Sequence, residues 1–188
     1  MTVTATEANP LLDGLHLRRT PDPCALVIFG ASGDLTQKKL FPALYSLAFR
    51  KLLPERFAVL GVARTEETDD AFRNRMRDAV QRYGRDELKQ EVWDALADGM
   101  RYVATDFADE GGQDHVASTL AELDRERGLN GNRLYYLAIP PSVFPTVVRE
   151  LGERRTASGW TRLIVEKPFG RDLQSACALN DAIHEHFE

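Results

Sequence analysis

Five short runs rich in β-branched and aromatic residues recur along this chain: 25–30 (ALVIFG), 57–62 (FAVLGV), 101–106 (RYVATD), 133–139 (RLYYLAI) and 161–167 (TRLIVEK). The segments between them are amphipathic and far too long for hairpin turns, so they read as crossover helices between parallel strands. Several of the runs are almost continuously apolar, as strands covered on both faces must be. The expected fold class is α/β, with a doubly wound, mostly parallel sheet.

The intervening helices can be placed from their periods. One is expected from 36 to about 53, with Leu40, Leu44, Leu47 and Ala48 on its apolar stripe and Pro42 in its first turns, where a missing N–H is tolerated. Two share the connection 68–99 and separate near Gly84; a fourth covers 113–127 and a fifth 142–155, with Ser142 as its N-cap. The last, from 173 to the chain end, stops without a C-cap, so Glu188 is expected to be a cut inside a longer protein. Residues 1–23 are polar and lack the apolar core of a signal peptide, which leaves 24–188 as one domain behind a flexible arm.

Composition excludes several classes. With 43% apolar and 28% charged residues the chain can bury a core, and a net charge of -5 offers no field for a nucleic-acid backbone. No run approaches the roughly 18 apolar residues of a membrane span, so no membrane partner and a cytoplasmic location are expected. Cys24 and Cys177 lie far apart with no C-x-x-C pattern. They are expected to be two buried thiols in a reduced compartment, with no metal site.

The chemistry concentrates where the first strand meets the first helix. In "FGASGDL" Gly30 ends the strand and Gly33 opens the helix. Glycine admits close backbone approach, and the unpaired N–H groups of a helix N-terminus favour an anion such as a pyrophosphate. The spacing matches neither G-x-G-x-x-G nor G-x-x-x-x-G-K-[ST], so a plain tight turn remains an alternative on this stretch alone. The end of the second strand adds to the reading. Where NAD-specific sites carry an acid for the ribose 2′-hydroxyl, "VARTEE" presents Arg64, whose guanidinium suits a 2′-phosphate. The expected coenzyme is NADP in a Rossmann-like dinucleotide-binding domain. The competing possibility is that Arg64 simply pairs with Glu66 or Glu67. Pro140 and Pro141 at the fourth strand's end and Lys167 at the fifth's face the same crevice.

The segments "VIFGASGDLTQKKLFPALYSL", "LLPERFAVLGVART", "NRLYYLAIPPSVF" and "GWTRLIVEKPFGRDL" together resemble the coenzyme domain of the glucose-6-phosphate dehydrogenase family, from Cys24 to Asp172. The resemblance implies a dinucleotide loop made of Gly30, Ala31, Ser32, Gly33, Asp34 and Leu35, with Arg64 on the 2′-phosphate. It also implies that Lys167 contacts both substrate and nicotinamide, and that Thr105 and Asp106 line the coenzyme less directly. The implied reaction oxidises glucose 6-phosphate to 6-phosphogluconolactone with NADP, the first oxidative step of the pentose phosphate pathway. The family's catalytic histidine and most of its oligomer contacts belong to a second domain that follows Glu188. His184 and His186 are two apart on a helix, fit neither the family motif nor a metal face, and are read as ordinary helix residues. The alternative is a stand-alone NADP-binding module without catalysis. The likeness also suggests a cis bond between Lys167 and Pro168.

Overall fold

The computed structural model describes residues 21–155, 158–167, 170 and 172–187. Its sheet has the strand order β3-β2-β1-β4-β5, and every pairing is parallel. The strands are β1 (Cys24–Phe29), β2 (Phe57–Ala63), β3 (Met100–Ala104), β4 (Arg133–Leu137) and β5 (Thr161–Val165). All five expected strands are present. The fold is a doubly wound α/β domain, and the strand order reverses between β1 and β4, which opens a crevice beyond their carboxyl ends.

Both faces of the sheet are covered, by different helices. On one face α1 (Phe41–Phe49), α2 (Asp69–Tyr83) and α3 (Gln90–Asp98) bury Phe41, Tyr45, Phe72, Met76 and Trp93 against Leu26, Ile28, Val59 and Tyr102. On the other, α4 (Glu110–Arg127), α5 (Phe144–Glu153) and α6 (Leu173–His186) cover Val27, Phe29, Leu60, Val62 and Leu137. Alternate strand residues thus feed two cores, which explains why β1 and β2 read as unbroken apolar runs. The edge strand β5 departs from this pattern: Arg162 and Ile164 on one of its faces are exposed.

Several boundaries differ from expectation, each for a local reason. The first helix opens at Asp34 and ends at Phe49 instead of running from 36 to 53. Pro42 lies beyond its first turn, directly after a π-helical turn over Thr36–Leu40, in which the Phe41 N–H reaches the Thr36 carbonyl. Proline has no N–H to continue the ladder and its ring crowds the carbonyl four residues back, so the widened turn is where the backbone accommodates it. Leu47, expected on the apolar stripe, is exposed. Ser142 is not an N-cap: it sits in a 3-10 turn over Pro141–Val143, and α5 starts at Phe144 with Pro145 in its first turn supplying no orphan N–H. Cys177 is exposed on α6, while Cys24 is buried and burial pushes its thiol up to about 11. The expected pair of buried thiols is therefore one buried and one exposed. Residues 1–20 and Pro168, hence the expected cis bond, lie outside the described residues.

Charge is buried at one point of the core. Arg133 on β4 is only 2% exposed; it pairs with Asp124 of α4 and donates to the carbonyls of Asn132 at 3.2 Å and Leu120 at 3.3 Å. The same carboxylate accepts from the Gly131 N–H at 3.1 Å, tying the turn before β4 to α4. Removing the acid strands a guanidinium in a low-dielectric site, and breaking such pairs costs about 3 kcal/mol or more. Asp124→Ala is accordingly expected to lower the unfolding free energy by about 3 kcal/mol, visible as a lower urea midpoint.

Candidate functional site

The turn after β1 is built around one close approach. Gly30 has φ +89°, and a Cβ there would stand 2.2 Å from the Ala138 carbonyl oxygen just past β4. Its N–H donates to Val62 on β2 at 2.8 Å. Gly30 is therefore wedged between its neighbours on both sides of β1. The next turn closes on its carbonyl, which accepts from the Gly33 N–H at 2.9 Å and the buried Thr36 hydroxyl at 3.1 Å. Gln37 reaches back to the Ser32 carbonyl at 3.1 Å, and Lys38 pairs with Asp34 at 2.7 Å. The loop is thus braced by the helix that it opens. Because that helix begins at Asp34, the N–H groups of its first turn have no carbonyl behind them and the positive end of its dipole points out of the turn.

A cleft of about 410 Å³ opens here. Gly30, Ser32 and Gly33 wall it from the turn, Ala63, Arg64 and Thr65 from the exit of β2, Phe107 from the segment after β3, and residues 138–140 from that after β4. Arg64 is exposed and, among the described residues, has no hydrogen-bond or ion-pair partner. The acid nearest in sequence that could have held it, Glu67, is instead gripped by Arg75, with Oε2 2.6 Å from Nη2. A guanidinium left unpaired at the mouth of a cleft whose floor is a helix N-terminus is suited to an anion with charge at two places.

The structure gathers some of the sequence-derived candidates and disperses others. Gly30, Ser32, Gly33 and Arg64 share the cleft. Ala31 is fully buried, its N–H on Val62 and its carbonyl 3.3 Å from Arg75. Asp34 is exposed and Leu35 half-buried. Thr105 is buried, with its hydroxyl on the Asp106 carbonyl at 2.9 Å, and Asp106 turns its carboxylate onto the Ala108 N–H at 3.1 Å. Neither lines the cleft; Phe107, the next residue, does. Lys167 is exposed just past β5, at the same carboxyl edge of the sheet but two strands from β1, and is not among the cleft's walls. Next to it Glu166 accepts from the Tyr136 hydroxyl, and burial, then that bond, pushes the phenol up to about 12. Phe107 and Ile139 were invisible to motif reading, since an apolar wall carries no signature beyond its position after a strand. Among the described residues no cluster of His, Cys, Asp and Glu could hold a metal, and His186 packs against Gly152.

A glycine turn opening onto the switch point of a parallel sheet, with a cation at the end of the second strand, defines a dinucleotide-binding domain. The chain belongs to the glucose-6-phosphate dehydrogenase family: residues 27–188 match the family model described as "Glucose-6-phosphate dehydrogenase, NAD binding domain". It is 43% identical over 189 residues to glucose-6-phosphate 1-dehydrogenase 2 of Mycobacterium bovis, covering 97% of this chain and 37% of that protein. It is 39% identical over 182 residues to the glucose-6-phosphate 1-dehydrogenase of Chlamydia pneumoniae, covering 93% and 36%. Among solved structures, a glucose-6-phosphate dehydrogenase in complex with its substrate superposes with a TM-score of 0.78 at 32% identity, covering 89% of this chain and 35% of that one. The Mycobacterium avium enzyme gives 0.76 at 34% identity. This chain therefore spans a little over a third of the length of the curated relatives it matches. Among the described residues no helix is long and apolar enough to cross a membrane.

The two glycines of the turn should respond differently to a methyl group. Gly30→Ala combines a left-handed backbone with a 2.2 Å clash against main chain that cannot swing away, and is expected to cost roughly 2 to 4 kcal/mol. At Gly33 the nearest atom is 3.2 Å away and φ is not positive, so Gly33→Ala should cost less than about 1.5 kcal/mol. Denaturant midpoints of the two variants check the contrast.

Proposed function

We propose that this chain is the coenzyme-binding part of an enzyme that oxidises glucose 6-phosphate with NADP, giving 6-phosphogluconolactone and NADPH. The observation that carries the coenzyme choice is Arg64, unpaired at the exit of β2 where an acid would mark an NAD site. The residues fit a dinucleotide: the bare face of Gly30 and Gly33 and the first turn at Asp34 and Leu35 offer N–H groups to a pyrophosphate. Arg64 makes paired, charge-assisted hydrogen bonds to the 2′-phosphate. The relatives' printed names and the substrate complex among the solved structures support the sugar phosphate as substrate of the whole enzyme.

When bound, NADP supplies the acceptor for the hydride leaving C1 of the sugar. This chain's part is to hold the two reactants in register. Lys167, a cation at the crevice edge, anchors a sugar hydroxyl and the coenzyme's nicotinamide end from the β5 side. Thr105 and Asp106 act behind Phe107, fixing the segment that walls the site. Removal of the C1 hydroxyl proton needs a base, and among the described residues no histidine lines the cleft: His115 is on α4, His184 and His186 are on α6. That base is supplied by residues outside the 188 considered.

Two measurements test this reading. Arg64→Ala should weaken NADP by about tenfold to over a hundredfold in calorimetric titration while leaving NAD nearly unchanged, since a charge-assisted bidentate contact is worth roughly 1.5 to 3 kcal/mol. Equal losses for both coenzymes would mean that Arg64 serves the fold. In addition, the 188-residue chain, saturated with glucose 6-phosphate and NADP, should show no steady rise in reduced-nicotinamide absorbance, because positioned base catalysis alone contributes about 10² to 10⁴-fold. Turnover abolished by Lys167→Ala would overturn the assignment of the base to another segment.

A further inference from the structure

Beside the cleft that holds Arg64 lies a second, wider one of about 750 Å³, and Ser32 and Thr65 wall both. Its other walls include two carboxylates, Glu66 and Glu67, and one cation, Arg75 on α2. Glu66 is exposed, so solvent and salt screen it. Glu67 is not: its side chain is 11% exposed, and it lies three residues past Arg64 on the strand exit where an acid favours a free ribose hydroxyl and repels a phosphate. Both of its oxygens are taken up by the Arg75 fork, Oε1 by Nε at 2.8 Å and Oε2 by Nη2 at 2.6 Å.

Arg75 is itself fixed. Its Nη1 donates to the Ala31 carbonyl of the glycine turn at 3.3 Å, and its guanidinium carbon sits 5.5 Å from the centre of the Phe72 ring. That ring is fully buried because Gly61 on β2 leaves room for it; a Cβ at Gly61 would come within 2.7 Å of it. Phe72 packs on Tyr102 at 5.1 Å, and the Tyr102 hydroxyl donates to the Thr65 carbonyl at 2.7 Å. Burial, and then the Glu67 carboxylate, push this phenol up to about 12, so it remains a donor throughout the neutral range. The turn after β1 and the exit of β2 are thereby joined through one guanidinium.

We propose that Arg75 is a positioning residue that sets the site's preference for a 2′-phosphorylated dinucleotide, by neutralising Glu67 and by holding the Ala31 carbonyl at a fixed distance from the exit of β2. The proposal rests on the NADP reading above and adds a residue that does not itself touch the coenzyme. Without Arg75, Glu67 is a half-buried unpaired carboxylate at the wall of the phosphate site. The penalty falls on a dianion and spares a hydroxyl.

The test is calorimetric titration of NADP and NAD into the 188-residue chain, with thermal melts run on every variant. Arg75→Ala should weaken NADP on the order of tenfold more than NAD. Adding Glu67→Gln to that variant should return the NADP-to-NAD ratio to within about threefold of the starting value, since the offending charge is gone. Glu67→Gln alone, which leaves the Arg75 fork in place with its charge uncompensated, should raise the ratio and does not depend on Arg75→Ala folding. An equal loss of both coenzymes in Arg75→Ala, no recovery in the double variant, or a lowered ratio in Glu67→Gln would each overturn the proposal. Failure of the unaltered chain to prefer NADP would instead sink the coenzyme assignment, so the two are separable.

Discussion

Gly30 has no room for a side chain, and the arrangement of the site follows from that. Its backbone lies against the Ala138 carbonyl on one side and is bonded to Val62 on the other, so the ends of β1, β2 and β4 are locked at one point. That point is where the strand order reverses. Everything anionic that enters the crevice must pass the same backbone, and the helix opening at Asp34 is aimed there because the turn leaves it no other course. A side chain at this position would push β4 away and separate the loop from the walls at 138–140 that complete the cleft.

The two layers of helices do different work around this junction. The layer of α1, α2 and α3 carries the polar supports of the site: Thr36 and Gln37 brace the loop from the first helix, and Arg75 reaches it from α2. The layer of α4, α5 and α6 supplies apolar packing and one buried ion pair, Arg133 with Asp124. Damage to the second layer should therefore read out as lost stability, and damage to the first as altered ligand preference. This division follows from the right-handed crossovers, which put the helices leaving β1 and β2 together on one face.

The strands were legible because each is an apolar run bounded by polar punctuation, and a parallel sheet buried on both faces leaves that mark on the sequence. Gly30, Gly33 and Arg64 were legible for a similar reason: their residue types are rare at strand exits unless backbone or charge is needed there. What the sequence concealed depended on side-chain direction. Thr105 and Asp106 occupy the right segment, yet the chain turns their polar groups into local hydrogen bonds and presents Phe107 instead. Arg75 looked like one more cation on an exposed helix; only its distances to Glu67 and Ala31 reveal a link across 44 positions of sequence. The π-helical turn was equally hidden, since Pro42 announces that a hydrogen bond is missing without saying how the backbone absorbs the loss.

That turn sets the angular phase between the two ends of the first helix. A π turn holds one residue more than an α turn, and each α-helical residue advances the helix by about 100°. With Thr36–Leu40 wound this way, the hydroxyl of Thr36 and the amide of Gln37 meet the loop while Phe41, Leu44 and Tyr45 still meet the sheet. Excising a single residue between 36 and 40 would regularise the coil and rotate one end against the other by roughly that angle. Either the core face or the loop braces would then point away from their partners. The spacing between the glycine turn and Pro42 is thus a count of residues that the helix can neither lengthen nor shorten by one without losing one of its two attachments.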